Sequence, residues 1–122
     1  HEVWSGDASF VVARSANGDM GVLPGHEPVL SILGIGPVRI DRPGEPSLIA
    51  AVDGGFLSVG TSDGVTRVDV LAEHVVLQED IDAASIGRHE QLATEFSASG
   101  DDDAARRETS KADVRRRLAA EK

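Results

Sequence analysis

The chain has 122 residues, 40% of them hydrophobic, no cysteine, and a formal net charge of −9. That length supports one compact core plus a small appendage, and the absence of cysteine excludes disulfides, thiolate chemistry and Cys-based zinc sites. The negative charge disfavours nucleic acid or an anionic lipid surface as the main partner, and four aromatics (Trp4, Phe10, Phe56, Phe96) are too few for a base-stacking platform. No apolar run approaches the ~20 residues of a membrane span, and His1-Glu2-Val3-Trp4 lacks the charged-then-apolar pattern of a secretory signal.

In chain order, Ser9 to Arg14 is strand-like and ends at Asn17-Gly18, a dipeptide suited to a tight hairpin turn. Met20-Gly21-Val22-Leu23 runs into the turn Pro24-Gly25. Val29 to Leu33 and Pro37 to Ile40 follow, interrupted by Gly34 and Gly36. Arg42-Pro43-Gly44 turns again. Leu48 to Val52 and Phe56 to Val59 flank Asp53-Gly54-Gly55, which reads as a further turn. Asp63-Gly64 then precedes Val65 to Val70, whose alternation is only partly regular. Of 14 valines, 13 lie before residue 78, with all five prolines and 11 of 13 glycines. Branched Cβ atoms suit a pleated surface, and strands at this spacing leave no room for crossover helices. The expectation is an antiparallel β-sandwich or barrel over residues 1–78.

Beyond residue 78 alanine and long charged residues take over, which favours helix. Glu79-Asp80-Ile81-Asp82 places carboxylates at a helix start, and the helix is expected to run to about Phe96 with Ile81, Ala84/Ser85, Leu92 and Phe96 near one face. Gly87 lies inside it and costs about 1 kcal/mol relative to Ala. Ser97 to Gly100 breaks the pattern, and Asp101-Asp102-Asp103 supplies caps for a second helix at about 104–121. Charge separates by segment: residues 1–78 carry four Arg against ten carboxylates, residues 79–103 one Arg against eight, and residues 104–122 seven Lys/Arg against three. The fold class is therefore β + α: an N-terminal sandwich or barrel, then a two-helix hairpin over 79–122 whose acidic and basic legs attract. Its apolar stripe is thin, so it should dock weakly and be able to move.

Motifs for chemistry are sparse. There is no phosphate-binding Gly-x-x-x-x-Gly-Lys-Ser/Thr loop. The four histidines (His1, His26, His74, His89) never take the i, i+4 spacing of a helical zinc pair, and Ser58 and Ser62 lack a nucleophile elbow. No metal and no cofactor are expected. The residues alone leave an interaction module as one reading and a ligand-binding sandwich as another. A small enzyme built from dispersed His26, Glu27 and Asp53 is a third.

One stretch is more specific. Gly18-Asp19-Met20-Gly21-Val22-Leu23-Pro24-Gly25-His26-Glu27-Pro28 resembles the Gly-Glu-x-Gly-Ile/Val-x-Pro-Gly-His-x-Pro stretch of the bacterial F-type ATP synthase epsilon subunits. Ala51 to Val59 resembles that family's Gly-Gly-Phe strand pair, and Gly36 to Ile40 its intervening strand. Val70-Leu71-Ala72-Glu73 followed by Glu79-Asp80-Ile81-Asp82 resembles its passage into the C-terminal helices. Order and spacing cover nearly the whole chain, with an actinobacterial flavour.

The resemblance implies a non-catalytic rotor subunit at the cytoplasmic face of the plasma membrane, held there only through the complex. The sandwich would bind the gamma subunit and sit on the c-ring, with Asp19, His26 and Glu27 as interface candidates. Asp19 also reads as a solvated hairpin carboxylate, and His26 as a buried or capping side chain. The hairpin would either fold on the sandwich or extend toward the alpha and beta subunits, regulating ATP hydrolysis. The basic leg (Arg106, Arg107, Lys111, Arg115, Arg116, Arg117) would meet an acidic segment of beta, or else pair with the chain's own acidic helix or water. Relatives in the family usually have another strand-length segment before the position of His1, so the first strand of the sandwich is expected to be missing from this sequence. Some bind ATP through Ile/Leu-Asp-x-x-Arg-Ala; here Ile81-Asp82-Ala83-Ala84-Ser85-Ile86 keeps Asp82 but has Ser85 for the arginine, so ATP binding should be weak or absent.

Overall fold

A computed structural model describes the backbone of residues 2–7, 10–15, 18–22, 29–62 and 65–122, and the side chains of 30–60 and 67–122. Its strands are β1 (Glu2–Asp7), β2 (Phe10–Ser15), β3 (Gly18–Val22), β4 (Val29–Arg42), β5 (Glu45–Ser62), β6 (Val65–Ala72) and β7 (Val75–Leu77). The pairings among them are antiparallel, in the order β1-β6-β5-β4-β2-β3, with β7 also paired to β5. A short 3-10 turn (Gln78–Asp80) leads to α1 (Ala83–Ala98) and α2 (Asp102–Ala120).

The expected turn at Asp53-Gly54-Gly55 is instead a corner inside one continuous 18-residue strand, β5. Gly54 and Gly55 take φ of 89° and 141°, values that bend the strand without reversing it. β4 bends alongside, and its ladder to β5 runs on across the corner, Leu33 opposite Gly55 and Ile35 opposite Asp53. The bend changes which parity faces inward. Before it Ala50 and Val52 point into the core; after it Leu57 and Val59 do. In β4 the inward set switches likewise from Leu33 to Val38 and Ile40.

The sheet thus folds over on itself. Val68, Val70 and Ala72 of β6 share one buried cluster with Leu33, Val38, Ile40, Val52, Leu57 and Val59. The second edge of β5 is divided: residues 50–52 pair with β7, and residues 55–62 pair with β6. Between them Asp53 N–H donates to the His74 carbonyl (3.0 Å) and Glu73 N–H to the Gly54 carbonyl (3.1 Å).

The helices begin later than the acidic run suggests, because Asp82 is the cap rather than an interior residue: its carboxylate accepts from Ser85 N–H at 2.8 Å. Asp101 does the same for α2, accepting from Ala104 N–H at 3.1 Å. Gly100, at φ 85°, makes the turn between them. α2 lies on β4 and β5, and α1 packs chiefly on α2.

Two glycines make opposite predictions. A Cβ on Gly55 would collide with the Leu71 carbonyl oxygen and lie 2.7 Å from Ala72 Cα, so Gly55→Ala should lower sandwich stability by at least about 1–3 kcal/mol. A Cβ on Gly87 meets nothing within 4 Å, so Gly87→Ala should stabilise the hairpin by about 0.5–1 kcal/mol. Urea unfolding of the two variants checks both signs.

Candidate functional site

The corner places two different outer faces on the sandwich. On one, the odd-numbered residues of the first half of β5 point away from the core: Ile49, Ala51 and Asp53. Ala51 is fully buried against Ile81 and Leu118, with Ile49, Val76, Ile86, Val114 and Ala119 around them. This is the seat of the helical hairpin. α2 turns one stripe to it and to α1, namely Ala104, Glu108, Ala112, Arg115 and Leu118, spaced for one helix face.

Two of those five are charged, and both are paired with an opposite charge. Arg115 donates from Nη1 to Asp53 Oδ1 (3.0 Å) and from Nη2 to Asp53 Oδ2 (2.8 Å), with the two side chains 5% and 2% exposed. Such fork-to-fork pairing fixes both distance and plane. Arg115 Nη1 also reaches the Lys111 carbonyl at 3.1 Å, while its Nε finds no acceptor among the described residues. Glu108 receives His89 Nδ1 from α1 at 2.6 Å and Lys111 Nζ at 3.1 Å. Burial alone would push the Glu108 carboxyl up; the hydrogen bonds and charges of His89 and Lys111 outweigh it and hold the group below its ordinary value.

Polar clasps close the far end. Gln78 Nε2 donates to the Leu118 carbonyl (2.9 Å) and Lys122 Nζ to the Ile81 carbonyl (2.6 Å), so the linker and the C-terminal turn of α2 hold each other. Between hairpin and sheet runs an open cleft lined by, among others, Asp53, His74, Ser85, Arg88, Lys111 and Arg115.

The predicted site residues distribute unevenly. His26 and Glu27 lie outside the described residues. The Asp19 backbone stands in β3 opposite Arg14, its side chain outside the described set. Asp82 caps α1 and has a serine, not an arginine, beside it. Of the basic leg, Arg115 goes to the sandwich, Arg116 pairs with Asp113 (2.7 Å) and Glu90 of α1 (3.0 Å), and Arg106 pairs with Asp103. Lys111 serves Glu108, and Arg107 and Arg117 are exposed. Between the two helices the expected attraction comes down to one exposed pair, Arg116 with Glu90, beside the buried His89–Glu108 pair, whose charges run the other way.

Asp53, His89 and Glu108 are the residues that reading the sequence missed as contacts. His89 falls in the spacing of Ile81, Ser85, Leu92 and Phe96, and Glu108 and Arg115 fall in that of Ala104, Ala112 and Leu118. A charged residue on the inward stripe was the available signal.

Among the described residues, no helix lies on the sandwich's other outer face. Leu30, Ile32, Phe56 and Leu71 are 75%, 59%, 48% and 42% exposed. Register sets Ile32 beside Phe56, and Phe56 beside Leu71, so they form one stripe across three strands. Soluble surfaces seldom leave such a row uncovered.

A folded-over sheet with a helical hairpin seated on one face and an exposed apolar stripe on the other has the features of an interaction module. Residues 1–78 match the family described as ATP synthase, Delta/Epsilon chain, beta-sandwich domain. The ATP synthase epsilon chain of Streptomyces coelicolor is 43% identical over 119 residues, covering 98% of this chain and 87% of that one. The epsilon chain of Frankia casuarinae is 53% identical over 72 residues, 59% of this chain and 80% of that one. A chain in the Euglena gracilis mitochondrial ATP synthase, in its OSCP/F1/c-ring structure, superposes with a TM-score of 0.67 at 26% identity, over 93% of this chain and 69% of that one. The chain belongs to the ATP synthase delta/epsilon family. The actinobacterial relatives agree with the flavour of the motifs. An epsilon chain is a non-catalytic stalk subunit, which replaces the ligand-binding and small-enzyme readings.

Glu108 makes a pH prediction. Its folded-state value is depressed, so its contribution is complete above its unfolded value and is lost as pH falls through the folded one. Acidification below the ordinary carboxylate range, about pH 4, should therefore loosen α1 from α2, and Glu108→Gln should flatten that limb of the stability curve, as followed by circular dichroism of the full chain. For ATP, Arg115 and Lys111 already hold carboxylates in the cleft. Calorimetry should show no micromolar binding of MgATP; a micromolar dissociation constant would contradict this.

Proposed function

We propose that the chain is a central-stalk rotor subunit of an F-type ATP synthase. In this role the sandwich carries rotation of the c-ring, driven by proton flow, toward the catalytic head. The observation that carries the reading is the exposed stripe of Leu30, Ile32, Phe56 and Leu71 on the face opposite the hairpin. Its occupant in this reading is the gamma subunit. Torque transmission needs a stiff body, and a sheet folded over a single aliphatic core supplies one.

Asp19 in β3, with His26 and Glu27 following it in the sequence, are the proposed contacts to the polar loops of the c-ring. The helical hairpin is the regulatory part. Docked, it lies on β4 and β5; released, it extends along gamma toward the alpha and beta subunits and hinders hydrolysis, with Arg106, Arg107 and Arg117 already at the surface. No helix among the described residues is long and apolar enough to cross a membrane, and the proposed location is peripheral, at the cytoplasmic face, through the complex.

The reading predicts that the full chain co-purifies with gamma and the c-ring of its own organism, and that Ile32→Glu with Phe56→Glu abolishes the association while leaving the fold intact. Removing residues 79–122 should spare gamma binding and change the ATP hydrolysis rate of the complex. A folded full chain that does not bind gamma would overturn it.

A further inference from the structure

We propose that the buried Asp53–Arg115 ion pair is a latch that fixes where the hairpin docks on the sandwich and sets how readily it lets go. The inference deepens the regulatory reading above and rests on it only for the consequence in the synthase; the docking concerns this chain alone. Among the described residues, Asp53–Arg115 is the ion pair that joins the two parts. The others lie within the hairpin (His89–Glu108, Lys111–Glu108, Arg106–Asp103, Arg116–Glu90, Arg116–Asp113) or within the sheet (Arg39–Asp41, Arg42–Glu45, Arg67–Asp69).

Its geometry selects one register. Nη1 donates to one carboxylate oxygen and Nη2 to the other, and sliding α2 by one turn would move Arg115 about 5.4 Å away. Asp53 cannot follow, because its own N–H is tied to the His74 carbonyl at the sheet corner and Gly54 and Gly55 fix the strand beyond it. The apolar contacts nearby, Ala51, Ile81 and Leu118 with Ile49, Val76, Ile86, Val114 and Ala119 around them, reward burial but are non-directional, whereas the ion pair is met in one position. Release returns both charges to water, which offsets much of their attraction. Docking with one charge missing, by contrast, strands the other in the interface. The pair therefore makes release reversible and all-or-none rather than graded.

The chain lacks cysteine, so a pair of introduced cysteines can be spin-labelled selectively. Ser58→Cys on the sheet and Ser97→Cys near the hairpin tip are both exposed. Double electron–electron resonance through a urea series reads the docked-to-released ratio, with Trp4 fluorescence following the sandwich separately. Arg115→Met, which leaves the sandwich sequence intact, should lower that ratio about a hundredfold or more. Asp53→Leu combined with Arg115→Met should restore it, because an apolar pair docks without a stranded charge. An unchanged ratio in Arg115→Met would overturn the latch, as would a double variant no better docked than the single one. Hydrolysis by the reconstituted synthase separates the two readings. If Arg115→Met releases the hairpin but leaves hydrolysis unchanged, the latch stands and the regulatory reading falls.

Discussion

Asp53 occupies the last residue of β5 before the strand turns its corner, and its carboxylate points away from the aliphatic core. Left alone there it would be a buried, unpaired charge, which folding tolerates poorly. Arg115, sixty-two residues later, removes that penalty with two hydrogen bonds. The corner therefore does more than close the sandwich. Gly54 and Gly55 swap the inward parity of β5, which is what puts Asp53 on the hairpin's side and Phe56 on the opposite face. One backbone feature thus creates both the seat of the helices and the exposed apolar stripe.

The two faces are built on different physics. The stripe of Leu30, Ile32, Phe56 and Leu71 is suited to permanent attachment, where burial of apolar area is the driving force. The helix seat mixes two fully buried aliphatic side chains, Ile81 and Leu118, worth about 1.5–3 kcal/mol each, with charges whose desolvation works against their attraction. The hairpin's own cohesion is similar in kind: His89 and Glu108 stand where a bundle would place leucines. The proposed release requires a small free-energy gap between docked and released states, the condition for a partner to shift the hairpin.

Much of the architecture was legible in the sequence. The concentration of valine, proline and glycine before residue 78 marked the sheet, and the Asp101-Asp102-Asp103 run and Gly100 marked the hairpin turn. The corner was not legible, because Asp-Gly-Gly between two apolar runs carries the same local signal whether the chain reverses or bends. Only the continuous β4 ladder distinguishes them. The latch was hidden for a different reason: a buried carboxylate and its partner far along the chain have no short-range pattern. Arg115 was visible as part of a basic leg, and helix periodicity placed it beside Leu118 and Ala112, but nothing local pointed to Asp53. Asp19, His26 and Glu27 were legible only by resemblance to a family.

Native-state hydrogen exchange of the full chain tests the central claim most directly, since it resolves local from global opening. If the hairpin is a separately releasable unit seated by a charged clasp, the amides of α2 from Ala104 to Leu118 will exchange through an opening that leaves Leu57, Val59, Val68 and Val70 protected. If the amides of α2 exchange only when those core strands do, the hairpin is an integral part of the sandwich's fold, and a releasable hairpin is contradicted.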